Sequence, residues 1–201
     1  MRAVIPATAF LILSPEAAHA HSSLEGIGAF PNGLLHPVLE PVHAVCLLAG
    51  SLLIAHQPEA KMPRHFLSVV LPLAAGLILS VFGVGATSSI WTAPALWVGA
   101  LLLGLAVAAT QDRDYAYSIG LLAPVFLAIG LDTGLDAARP VDRAVFAAGA
   151  WLGVSLIVVN AALALRKIER FAITRIGMRV LASWVAAASA MMLAFSLRGG
   201  S

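Results

Sequence analysis

Six uninterrupted apolar runs, near residues 34–55, 66–86, 93–110, 115–131, 144–165 and 177–197, leave this chain little choice of solvent. Each approaches the roughly 20 residues a helix needs to cross the hydrocarbon core of a bilayer, the third and fourth being the shortest. The runs are continuous rather than alternating, which favours helices over barrel strands, and lipid obliges each backbone to satisfy its own hydrogen bonds. Only 11% of the 201 residues are charged and 60% are hydrophobic, against about 25% charged in a typical soluble domain. The expected fold is therefore all-α: a polytopic membrane helix bundle with six transmembrane helices after a cleavable signal peptide, its first partner being the lipid bilayer.

The signal is read over residues 1–20. Arg2 is its charged start, Ala3 to Leu13 its apolar core, too short to span, and Ala18-His19-Ala20 its A-x-A cleavage site. An uncleaved anchor is the alternative, disfavoured by Pro6, Ser14 and Pro15. The mature domain would be 21–201, beginning at His21. A free α-amine beside an imidazole can chelate a transition metal; equally, His21 is simply the first exposed residue.

Lysine and arginine set the orientation. With the mature N-terminus outside, the cytoplasmic side holds eight (Lys61, Arg64, Arg113, Arg166, Lys167, Arg170, Arg175 and Arg179) and the outer side Arg139, Arg143 and Arg198. The bias agrees with the signal. It places a multi-pass protein in the inner (plasma) membrane with both termini on the outer, periplasmic side. A net charge of +2 without a basic, aromatic-interleaved run gives no reason to expect nucleic acid as a partner. The single cysteine, Cys46, excludes an intramolecular disulfide and reads as core rather than ligand.

Chemistry concentrates in Gly33 to Gly50, where His36, Glu40 and His43 interrupt an apolar run. Ionisable residues inside a span are costly and by default functional. At about 100° per residue all three share one face of a regular helix, but His36 and His43 would stand about 10 Å apart along it. Pro41 cannot donate to the carbonyl of Pro37, so the helix should kink or open there; alternatively Pro37 is its first residue, with His36 as cap. A kink, or ligands from a second helix, would close the distance. Imidazoles with a carboxylate suit nickel, cobalt, zinc or copper. The bland reading is a hydrogen-bonded structural contact.

Asp132 and Asp136, four residues apart at the end of the fourth run, are either oxygen ligands opposite Glu40 and His43 or solvated acids near Arg139 and Arg143. Asn160 is expected to hydrogen-bond across helices, and His56 and His65 to flank a loop. Small residues, among them Gly76, Gly99, Gly104 and the pair Gly130 and Gly134, predict close helix packing. No nucleophile elbow, zinc-protease motif, phosphate loop or C-x-x-C occurs, so no enzyme is expected.

The segment His36-Pro37-Val38-Leu39-Glu40-Pro41-Val42-His43 resembles the H-P-x-x-G-x-D-H of the HupE/UreJ family of nickel/cobalt permeases. Both histidines and the first proline match; Glu40 stands at the family glycine and Val42 at the family aspartate. Ala93-Pro94 and Gly104 keep the proline and glycine of a third-span pattern. Ile129-Gly130-Leu131-Asp132-Thr133-Gly134-Leu135-Asp136 resembles H-G-x-x-H-G-x-E in its glycines and closing acid, without the histidines. The resemblance, that of a divergent member, implies a secondary transporter with no tightly bound cofactor, carrying Ni2+ or Co2+. His21 would capture the ion, and His36, Glu40 and His43 would pass it on. The alternative is a non-transporting assembly or accessory subunit that serves a membrane or metalloenzyme-maturation partner.

Overall fold

The computed structural model describes residues 26–84, 89–109, 115–134, 139–169 and 171–198. The signal-peptide reading, His21 and Asp136 lie outside them. The described residues form seven α-helices: α1 (Ala29–Leu39), α2 (Pro41–Ala55), α3 (Met62–Val81), α4 (Ser89–Ala109), α5 (Tyr115–Asp132), α6 (Pro140–Glu169) and α7 (Ala172–Arg198), with a single 3-10 turn, Glu59–Lys61. Among these residues no strand is present.

Four helical stretches are long and apolar enough to cross a membrane: Glu59–Val81, Trp91–Ala109, Pro140–Glu169 and Ile173–Arg198. The pair α1 and α2, bent by 71° at the intervening residue, makes a fifth if counted as one broken span. The fourth expected run is helical too, but its apolar stretch, Tyr117–Asp132, is shorter. By length and composition alone, the described residues hold four such spans, or five with the bent pair.

The break in the first run has a local cause. Pro41 is the first residue of α2, where its missing N–H costs nothing. Its ring forces the preceding residue out of the helical region, and Glu40 is extended at φ −87, ψ 111. The Glu40 amide closes α1 on the His36 carbonyl at 3.0 Å, and the Glu40 carbonyl opens α2 by accepting from Ala44 at 3.0 Å. Of the two sequence readings, a helix opening at Pro41 is the one realised, and Pro37 lies inside α1.

After the break α2 enters the middle of the bundle. Eleven of its fifteen residues are buried, among them Leu47, Leu52, Leu53 and Ile54, and it packs on α4 and α6 above all. Glycines set how closely its neighbours approach. A Cβ on Gly33 would stand 2.0 Å from the Phe146 carbonyl oxygen, and one on Gly149 2.2 Å from that of Phe30, so α1 and α6 touch backbone to backbone. Gly76 of α3 and Gly130 of α5 meet in the same way. Small residues serve this purpose where no hydrophobic effect drives helices together. Two packing expectations need correction. A Cβ on Gly134 would meet nothing among the described residues, whereas Gly130 packs on Gly76. Asn160 is exposed and bonds the Leu156 carbonyl of its own helix at 2.7 Å, not another helix, because its position on α6 faces outward.

Candidate ion site at the helix break

The 71° bend at Glu40 brings His36 and His43 together. Their ring centroids are 5.4 Å apart, edge to face at 72°, where an unbroken helix would separate them by about 10 Å along its axis. The other neighbour of the His36 ring is Phe146 of α6, 5.5 Å away. That position follows from the glycine-mediated closeness of α1 and α6.

His43 is fully buried, and its Nε2 lies 3.0 Å from Oδ2 of Asp132 at the end of α5. The other Asp132 oxygen, Oδ1, accepts from the Thr92 hydroxyl of α4. A carboxylate only accepts, so Nε2 carries the proton and Nδ1 presents its lone pair; this tautomer is assigned from the network. Nδ1 is buried with no hydrogen-bond partner among the described residues. Three helices thus hold one imidazole in one orientation and one tautomer. A histidine whose second nitrogen is held by a carboxylate is the usual arrangement of a metal-binding imidazole. It equally suits a group that takes up and releases a proton.

The structure brings His36 and His43 together and sets Asp132, not Glu40, against His43. Glu40 does not share their face, because the chain is extended there; it is half-buried, and its carboxylate takes no part in the His36, His43 and Asp132 contacts. Asp132 is not a solvated loop acid beside Arg139, which pairs instead with Asp142 through two hydrogen bonds of 2.8 and 2.9 Å. Asp132 is the carboxylate that faces His43. Cys46 is buried and directs its thiol at the Leu96 carbonyl, as a core residue would. Among the described residues no three His, Cys, Asp or Glu side chains converge closely enough to hold an ion.

Thr92 went unremarked in the sequence, and nothing local marks it; its role exists only because α4 and α5 deliver it to Asp132. The far end of α2 carries a second polar contact. His56 Nε2 lies 3.9 Å from Oε1 of Glu169 on α6, and Arg166 donates to the carbonyls of Ala55 and Gln57 at 3.1 and 2.6 Å. His65, expected to flank a loop, is buried in the first turn of α3 and bonds the Lys61 carbonyl.

The fold and its interior histidine–carboxylate contact define a helical membrane protein with a polar site in its core. The sequence pattern of the family described as HupE / UreJ protein matches residues 9–193. The chain belongs to that family. Searches of curated proteins and of solved structures found no match.

Proposed function

We propose that this chain is a six-span membrane permease for a divalent transition-metal ion, nickel or cobalt on the strength of its family, with ligands on the broken first span. The observation that carries the reading is His43, a fully buried imidazole fixed by Asp132 at one nitrogen and offering the other. Burying such a group in a membrane bundle is costly unless it is used. In this reading the ion meets His43 with His36 as its neighbour. Glu40 lies at the approach, where the extended backbone leaves it half-buried, and His21 and Asp136 add ligands outside. The imidazoles must be neutral to bind, so a metal competes with protons for them. A cleaved signal peptide, a plasma-membrane location and termini on the outer side complete the proposal.

A second reading is an accessory subunit that retains the scaffold without the traffic. It is favoured by the lack of any three-ligand cluster among the described residues. Nickel and cobalt accumulation by cells producing the wild-type chain, His43→Ala and the exposed control Ser183→Ala separates the two. Transport predicts accumulation that His43→Ala abolishes at equal membrane abundance and that Ser183→Ala leaves intact. Equal accumulation with and without the wild-type chain would leave the accessory reading standing.

A further inference from the structure

The seam between α3 and α6 opens on both sides of a hydrogen bond from Trp151 Nε1 to the Val70 carbonyl at 3.2 Å. On one side is a groove of about 310 Å3 whose walls, Ala74, Ile78 and Ala147 among them, include no charged side chain. On the other is a groove of about 460 Å3 with an apolar floor of Met62, Pro63, Phe66 and Leu163 and two cations, Arg166 and Lys167, against one acid, Glu59. From that binding-sized, cation-bearing recess inward, the seam changes from charged to wholly apolar.

We infer that this second groove binds an anionic membrane phospholipid, with the headgroup phosphate at Lys167 and Arg166 and an acyl chain over Phe66 and Leu163. Three observations select this occupant. Lys167 is exposed and enters no ion pair among the described residues. Arg166 donates through Nη1 to the carbonyls of Ala55 and Gln57, which take none of its charge, and faces Glu169 at 3.7 Å. The groove also lies at the helix ends where Lys61, Arg64, Arg175 and Arg179 cluster in the sequence, the depth at which anionic headgroups meet basic residues. A soluble anion would use the cations but leave the floor unfilled. A zwitterionic lipid would fill the floor but gain little from the cations. Because Arg166 also holds the end of α2, the bound lipid would brace the helix that carries His43.

The test is thermal unfolding of the purified full chain in detergent, with phosphatidylglycerol, phosphatidylcholine of the same acyl chains, or glycerol 3-phosphate added. Phosphatidylglycerol should raise Tm in a saturable way, and the other two should not. In Lys167→Gln, the phosphatidylglycerol needed for half the rise should increase about fivefold, the effect of one cation near an anionic surface. Arg198→Gln, at the opposite end of the bundle, should leave it unchanged. Equal rises with phosphatidylcholine, the full rise with glycerol 3-phosphate, or an undiminished response in Lys167→Gln would each overturn the assignment.

Discussion

Both ends of α2 set an imidazole against a carboxylate, and the two settings differ in what they leave exposed. At the break, His43 is 0% exposed and 3.0 Å from Asp132. At the other end, His56 is 17% exposed and 3.9 Å from Glu169, which Arg166 also approaches. A loose pair open to water and shared with an arginine is ordinary interfacial chemistry and contributes little. A close pair with a fully buried member must overcome desolvation through geometry, and removing one partner strands the other. On the proposed reading, the first end is the ion site and the second fastens the helix.

The contrast breaks most completely if α1 is pushed off α6. Gly33→Leu drives a side chain into the Phe146 carbonyl and should abolish correctly folded protein, seen as loss of the monodisperse species in size-exclusion chromatography. The expected penalty exceeds the roughly 1–3 kcal/mol of ordinary overpacking, because backbone rather than a side chain blocks the way. Next in size is Asp132→Ala, which strips the His43 ring of its carboxylate. It should cost about 2 kcal/mol in stability and about 10–100-fold in metal affinity, read by thermal unfolding and by titration. Pro41→Ala should be milder in stability and selective in effect. By removing the bar on a helical Glu40, it lets His36 drift from His43 while the glycine contacts still hold α1 on α6, so metal binding weakens more than Tm falls. Smallest is Glu169→Gln at the other end of α2, expected below about 1 kcal/mol and without effect on uptake. Equal effects of Asp132→Ala and Glu169→Gln would erase the distinction between the ends.

Acidity sharpens the same comparison. If neutral imidazoles receive the ion, uptake should fall as pH is lowered from about 7.5 to about 5, because protons compete with the metal for them. Uptake measured across that range without a change would remove the histidines from the path.

The sequence carried the helical architecture and the break at Pro41, because apolar length and proline chemistry are local properties. It also marked His36 and His43, whose cost in an apolar run is visible without coordinates. Which acid meets His43 stayed open between Glu40 and Asp132. Glu40 looked right by helical periodicity, but the residue before Pro41 leaves the helix, and periodicity then says nothing about its direction. Asp132 is 89 residues from His43 in the chain; only the packing of α5 beside α2 and α4 joins them. The glycine contacts were partly legible. Gly149 and Gly153 stand at GxxxG spacing in the sequence of α6 and both meet α1 backbone, a signal as plain as that of Gly130 and Gly134.

The central claim is that the helix break forms a site for a transition-metal ion. Its most direct test is calorimetric titration of the purified protein with nickel, cobalt, zinc and copper, beside the His36→Ala/His43→Ala double variant. The account predicts saturable binding of nickel or cobalt by the wild type, lost in a double variant that still unfolds cooperatively. Binding that survives both substitutions, or no binding by the folded wild type, would contradict it.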